Sequence, residues 1–307
     1  MMKFCLCKSV FSISLQMKYV TFLILFLLIN HTALGQLMEV HGHRGCRGLL
    51  PENTLLGFLH AIDLGVDVLE MDLVVNKDFQ IIVSHEAYFN AEISSHPHHT
   101  ITPSNELEFN IFQMNYADIK AFDVGTKFHP RFPHQKKLKS HKPLFSDLIP
   151  LLEQHSKKNI RYNIELKFLD SMEIAFNPSK EDFAALVLRS LRELGIEERT
   201  TLQCFDFDCL KVLKKMGFHG NLAALVEFPA PIDSTIDQLG FVPHIISPNF
   251  KWIGPEYIQS VQSKGISIIP WTVNTSEDLQ RLIEWRVDGI ITDYPDLLIN
   301  LRSNLSK

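Results

Sequence analysis

The chain predicts an α/β fold, a (β/α)8 TIM barrel with an inserted subdomain after the second core strand. Three observations carry that expectation. Short β-branched runs alternate with helical periodicities along most of the chain, as in βα units around a parallel sheet. Eight such units fit within about 250 residues, the usual size of such a barrel. Charged pairs also stand on strand-like runs with apolar neighbours, which suits barrel strands that carry a site at their ends.

The first residues stand apart. Lys3, Lys8 and Lys18 are the only charges before Gln36, and residues 19–30 form an almost purely apolar run, YVTFLILFLLIN. That run is shorter than the roughly 20 residues a membrane span needs and leads into Ala33-Leu34-Gly35, a small-x-small cleavage pattern. Residues 1–35 are therefore expected to be a secretory signal peptide, and Met17, followed at once by Lys18, offers an alternative start with an ordinary basic n-region. The mature domain is then 36–307, secreted or periplasmic, with no stable membrane span after cleavage. An uncleaved N-terminal anchor is the competing expectation.

Residues 37–43 read as the first strand. Residues 53–64 follow as a helix, because Leu55, Leu56, Leu59 and Ile62 share one face and Gly65 stops it. Val68–Val75 is the second strand, and residues 80–84 are its antiparallel return over a turn at 76–78. The next core strand is 161–168, with a helix over about 181–194. Strand 200–205 precedes helix 208–216, strand 222–226 a weaker helix near 235–239, and Ile245–Pro248 a helix over 256–264. Strand 267–273 precedes helix 276–285, and Gly289–Thr292 closes the series.

The exception is the insertion at about 86–145. It holds His96-Pro97-His98-His99, Pro103, Pro130, Pro133 and the basic run Lys136-Lys137-Leu138-Lys139, with one modest helical patch near 116–121. A structureless loop of that length is unusual inside a compact domain, so the insertion is expected to be functional or to fold on its own contacts. The histidine cluster reads as a polar surface loop rather than a transition-metal site.

Composition bounds the function classes. With 46% hydrophobic and 21% charged residues the chain is too apolar to be disordered. Losing the leader removes three lysines and no acids, so the formal charge moves from −5 to −8. That mildly acidic balance gives no reason to expect nucleic acid as a partner. Cys46, Cys204 and Cys209 remain, an odd count without C-x-x-C spacing. A disulfide framework and a structural zinc site are both disfavoured, while one disulfide pair stays open. Oligomeric state is not legible.

Residues i and i+2 of a strand share a face, and three runs use that rule. They are His41-Gly42-His43, Glu70-Met71-Asp72 and Glu165-Leu166-Lys167. Buried charges are costly unless paired or bound to a metal, so such pairs inside a barrel point to a site. Glu70, Asp72 and Glu165 supply three carboxylates without sulfur, a donor set for one hard divalent cation, Ca²⁺ or Mg²⁺. Imidazole side chains are able to titrate near neutrality, so His43 and His85 are expected to suit general acid and base roles. Arg44 and Lys167 are fixed cations of the kind that hold phosphate oxygens. Together they make a phosphoester-cleaving site. Trp271, at a strand's C-terminal end, is expected to wall the substrate pocket. His41 is open between a core histidine and a site group, and Asn53 between capping the first helix and touching the site. Asp206, Glu227 and Asp293 lie at strand ends and are expected to support the site from behind.

The His-Arg-Gly, Pro-Glu-Asn-Thr, Glu-x-Asp and Glu-x-Lys elements resemble those of the glycerophosphodiester phosphodiesterase family. The resemblance runs from His41 to His85 and resumes at Asn163-Ile164-Glu165-Leu166-Lys167. It continues through Gln203-Cys204-Phe205-Asp206, Trp271-Thr272-Val273-Asn274 and Asp288-Gly289-Ile290-Ile291-Thr292-Asp293. It implies a metal-dependent enzyme that hydrolyses small-molecule glycerophosphodiesters to glycerol 3-phosphate and an alcohol. It also implies that His43 and His85 are the acid/base pair, that Glu70, Asp72 and Glu165 are the metal ligands, and that Arg44 and Lys167 contact phosphate. Two positions depart from the family's pattern: Glu86 stands where Asp is common, and Cys204 where Ser is common. Alternatives are a phospholipase D of the same fold acting on lysophospholipid or sphingomyelin, and a secreted protein that binds phosphodiesters without turnover.

Overall fold

The computed structural model describes residues 38–168 and 173–305, so the leader expected at 1–35 lies outside the described residues. Among the described residues the strands are β1 Glu39–Gly42, β2 Val68–Val75, β3 Ile81–Val83, β4 Arg161–Leu166, β5 Thr200–Cys204, β6 Asn221–Val226, β7 Ile245–Pro248, β8 Ser267–Ile268 and β9 Gly289–Thr292. All but β3 pair in parallel, in the order β8-β7-β6-β5-β4-β2-β1-β9. β3 returns antiparallel on β2, as the turn at 76–78 predicts. The chain beyond β8 meets β9 through Ile291 N to Pro270 O at 3.0 Å and Val273 N to Ile291 O at 3.0 Å, which nearly closes the barrel. The regular strand stops at Ile268, short of the expected 273, and Pro270 contributes no N–H to a ladder there.

Each parallel strand is followed by a helix: α1 Leu55–Leu64, α2 Phe145–His155, α3 Lys180–Glu193, α4 Phe207–Lys215, α5 Ile232–Leu239, α6 Pro255–Ser263, α7 Ser276–Glu284 and α8 Pro295–Leu305. Sequence reasoning passed over α2 and α8. Pro150 lies inside α2 and removes one backbone hydrogen bond, so its helical signal is masked although Phe145, Leu148, Ile149 and Leu152 bury one face. α8 packs Leu298 into the core and ties back to β1, with Arg302 Nη1 donating to Met38 O at 2.8 Å.

Helices cover the outside of the sheet. Phe58, Phe145 and Phe183 are fully buried in that layer, and burying each contributes roughly 2–3 kcal/mol. The barrel interior is divided. On one side Asn163 Nδ2 donates to Gln203 Oε1 at 3.1 Å, and Gln203 Nε2 donates to Glu70 Oε1 at 3.0 Å, so β2, β4 and β5 present a polar layer. On the other side Ala223, Ile245, Ile269 and Ile291 form an apolar cluster with Trp271. His41 belongs to the core: its Nε2 lies 3.0 Å from Glu39 Oε2 and it is buried beneath the polar layer.

The segment between β3 and α2 has its own small core, in which Phe89, Ile111, Ile119 and Phe122 are buried with Val74 and Ile82. One short helix, Tyr116–Ile119, answers to the expected patch at 116–121. His96, His98 and His99 are solvent-exposed or half-exposed rings in mutual contact, and the carboxylate trio is the donor cluster able to hold a metal among the described residues. No helix among the described residues is long and apolar enough to cross a membrane.

Candidate active site

The site grows out of the turn after β1. Arg44 (φ 50°) and Gly45 (φ 89°) take the left-handed conformation, and a Cβ on residue 45 would sit 2.8 Å from the carbonyl carbon of Gly57. Only glycine fits that approach. The turn aims the Arg44 N–H at Glu70 Oε2, 2.8 Å away. In Pro51-Glu52-Asn53-Thr54 the roles separate: Thr54 caps α1 by accepting from Gly57 N, whereas Asn53 turns inward and donates from Nδ2 to Asp72 Oδ2 at 2.8 Å. Glu52 Oε1 accepts from Arg44 Nη1 at 2.6 Å and fixes the guanidinium.

The three carboxylates meet because of register. Asp72 on β2 lies directly beside Glu165 on β4, and Glu70 shares Asp72's face two residues earlier. One oxygen from each falls within 4.8 Å of the others. Asp72 Oδ1 is buried without a hydrogen-bond partner, an arrangement that costs free energy until something cationic completes it. Burial and the charges of Asp72 and Glu165 push Glu70 well above the usual carboxylate range. Burial also raises Glu165, with Lys167 opposing and Asp72 reinforcing. Asp72 goes the other way: burial works against its charge, but His85, Arg44 and Lys167 hold it well below that range. An oxygen-only trio of this kind fits a hard divalent cation.

His43 is held from behind. Its Nδ1 lies 2.6 Å from Asp293 Oδ1, and Asp293 also accepts from Arg47 Nε at 2.9 Å, Arg47 Nη2 at 3.0 Å and Asn274 Nδ2 at 2.7 Å. His43, Arg47 and Asn274 hold Asp293 ionised, so Nδ1 of His43 carries the proton and Nε2 presents a lone pair, 3.9 Å from Glu70 Oε2. Burial lowers the His43 pKa to about 4, with the Asp293 charge opposing. Sequence reasoning placed Asp293 behind the site but could not show what it holds.

Two results are expected from this arrangement. Asp293→Asn removes the acceptor that selects the tautomer and should lower kcat by about 10²–10⁴-fold in a steady-state assay with the fold intact. For stability the sign follows from linkage: unfolded His43 takes a proton near 6.5 but the folded side chain only near 4. The stability this group contributes is present above about 6.5 and lost toward pH 4, by roughly 3 kcal/mol. Urea denaturation at several pH values should show that limb flattened in His43→Asn, and an unchanged slope would refute the assignment.

His85 follows β3 and takes its orientation from Glu86, whose Oε1 lies 2.7 Å from His85 Nδ1. Nε2 faces Lys167 Nζ at 3.1 Å, and Lys167 also donates to Glu165 Oε1 at 2.6 Å. Glu86 therefore does what a shorter carboxylate could do at the same position. Cys204 is buried on the outer face of β5, donating to Leu166 O, and has no part in the site. It, Cys46 and Cys209 are free thiols.

A pocket of about 370 Å³ opens at the C-terminal end of the barrel. His43, Arg44, Glu70, His85, Glu165, Lys167 and Trp271 all line it, and Asp72 lies buried beneath. All eight expected site residues thus converge. Arg44 Nε makes no hydrogen bond but faces Asp72 Oδ2 at 3.4 Å, so the guanidinium is held between Glu52 and Asp72 at the edge of the pocket. The opposite wall is apolar, with Phe205, Leu225 and Ile291 beside Trp271. Trp271 is fixed by Nε1 donating to Ser247 O at 2.7 Å and by an edge contact with Phe205 at 5.4 Å. The pocket therefore offers cations and proton-transfer groups on one side and an apolar shelf on the other.

Known proteins resemble this chain at three levels: family model, sequence and solved structure. The model of the "Glycerophosphoryl diester phosphodiesterase family" matches residues 43–297. A glycerophosphodiester phosphodiesterase of Caldanaerobacter subterraneus subsp. tengcongensis is 29% identical over 262 residues, covering 85% of this chain and 96% of that protein. Lysophospholipase D GDPD1 of Rattus norvegicus is 26% identical, covering 92% and 93%. A solved Silicibacter pomeroyi protein superposes with a TM-score of 0.78 at 28% identity, covering 88% of this chain and 95% of its own. A phosphodiesterase of Oleispira antarctica, solved with the product sn-glycerol-3-phosphate, superposes with a TM-score of 0.70 at 18% identity, covering 88% and 98%, which shows the shared fold.

Proposed function

The chain belongs to the glycerophosphoryl diester phosphodiesterase family, and from that premise we propose that it hydrolyses glycerophosphodiesters to glycerol 3-phosphate and an alcohol with a bound divalent cation. The observation that carries the reading is the convergence of three carboxylates, two histidines and two cations on one pocket at the barrel mouth.

Glu70, Asp72 and Glu165 would hold the cation. When bound, it supplies charge neutralisation for the phosphodiester oxygens, and Ca²⁺ and Mg²⁺ both suit the donors. Arg44 and Lys167 bind the remaining phosphate oxygens and orient the phosphorus. His43 acts as the base: its deprotonated Nε2 takes the proton of the attacking hydroxyl, which belongs to water or to the neighbouring glycerol carbon, the latter giving a cyclic phosphate that a water molecule then opens to glycerol 3-phosphate. The bond from phosphorus to the alcohol oxygen breaks, and His85 returns a proton to that alkoxide. Asp293 keeps His43 in the receptive tautomer throughout. The apolar run at 19–30 and the Ala33-Leu34-Gly35 pattern support a location outside the cytoplasm, secreted or periplasmic.

A second reading is favoured by one observation. Phe228 and Trp252 follow β6 and β7, are 69% and 60% exposed, and meet at 5.5 Å, extending the apolar side of the barrel mouth. Such a rim suits an acyl chain, as in a lysophospholipase D. Kinetics on glycerophosphocholine and lysophosphatidylcholine separate the two: the proposal expects the higher kcat/KM for glycerophosphocholine, and the reverse order would favour the lysophospholipid.

A further inference from the structure

The segment that leaves β3 returns beside it, and the returning leg carries a buried lysine that the cation and phosphate assignments do not use. Lys142 is 4% exposed. Its Nζ donates to Ser84 Oγ at 2.5 Å. An ammonium has only donors, so the single hydroxyl proton of Ser84 must go elsewhere, and it goes to the main-chain oxygen of Glu86 at 2.6 Å. Glu86 in turn holds His85 Nδ1 at 2.7 Å. The contacts therefore run from Lys142 through Ser84 to the main chain of Glu86, and the Glu86 side chain then reaches His85.

Two features show that the lysine is built in. The backbone on its C-terminal side is clamped to β3, with Val83 N donating to Pro143 O at 3.0 Å and Ile82 bridging Leu144. The ring of Phe89, also from the segment, lies 5.3 Å from Nζ. A buried ammonium needs an opposing charge. Burial pushes the Lys142 amine down, and Glu86 and Glu52 oppose that. Glu86 Oε2 is shielded from solvent with no hydrogen-bond partner, so its charge is answered by nearby cations rather than by water. Despite its own burial, Glu86 is held well below the usual carboxylate range by His85, Lys142 and Arg44.

We propose that Lys142 is a positioning residue for His85, acting through Ser84 and Glu86, so that the acid/base pair depends on the returning leg of the segment being seated beside β3. This rests on the reading of His85 as an acid/base group. It gives the segment a role in turnover that is separate from contact with substrate.

The test uses the intact protein with Lys142→Met, Ser84→Ala, Glu86→Gln and the Lys142→Met/Glu86→Gln double variant. In the metal-free protein, proton NMR reads the imidazole N–H signals of His85 and His43. Lys142→Met should shift or exchange-broaden the His85 signal and leave the His43 signal, anchored on Asp293, in place. In the metal-loaded protein kcat should fall about 30-fold or more while KM moves less than about threefold. The double variant should lose no more than the worse single variant, because both act along one chain of contacts. Ser84→Ala supplies the same readouts should Lys142→Met fail to fold. An unmoved His85 signal with kcat within about threefold of the parent overturns the proposal. So does loss of both histidine signals with losses that multiply in the double variant, since that is a general structural effect. If the parent protein turns over no phosphodiester, the functional reading fails, and the His85 signal still decides the positioning claim.

Discussion

Replacing either His43 or His85 with Asn is expected to lower kcat by about 10²–10⁴-fold, the usual worth of a positioned acid or base, with thermal unfolding close to the parent's. The two substitutions should differ in kind. His43 sits in a cage of buried partners, and Asn at 43 removes a group that burial already keeps neutral, so the variant's stability should be less sensitive to acid. His85 is partly exposed, with Glu86 and Lys167 as its partners among the described residues, and its loss should affect turnover alone. Because the two act in one reaction, the double variant should be little slower than either single one. Near-parental rates in both single variants would show that proton transfer uses other groups.

The second large effect concerns the cation. A chelator should stop turnover, and Ca²⁺ or Mg²⁺ should restore it. The physical reason is visible in the trio itself, where burial and then like charge raise Glu70 and Glu165, and Asp72 Oδ1 has no hydrogen bond and, among the described residues, only Lys167 Nζ at 3.9 Å to answer it. A cation that relieves this binds the folded state and stabilises it. At about one hundred times its dissociation constant the gain is about 2.7 kcal/mol, seen as a rise in Tm. Glu165→Gln keeps an acceptor for Lys167 while removing one ligand charge, so it should lose both turnover and most of the cation-dependent rise. A Tm that ignores the cation in the parent protein would contradict the assignment.

Much of this was readable along the chain because strands encode local rules. Glu70 and Asp72 share a face by the two-residue period, as do Glu165 and Lys167, and β-branched runs mark where the parallel strands lie. What could not be read is contact made across the sequence. Asp293 reaches His43 over 250 residues, and Gln203 reaches Glu70 over 133, so strand-end position alone could not assign their partners. Glu52 and Asn53 sit in a helix-start pattern, and only the left-handed turns at Arg44 and Asn53 show that they face Arg44 and Asp72. Lys142 lies in a segment without periodicity, and nothing near it in sequence announces that its amine is buried. α2 was hidden by Pro150, whose cost is outweighed by an apolar face packed on the barrel. Glu86, first a departure from a familiar pattern, becomes intelligible once its carboxylate is seen on His85.

Release of glycerol 3-phosphate from glycerophosphocholine by the purified protein, followed with and without chelator, decides whether this chain is a cation-dependent phosphodiesterase. Release should be matched one for one by choline, abolished by the chelator and restored by Ca²⁺ or Mg²⁺. Tight binding of glycerophosphocholine with no release at any concentration of either cation would contradict it.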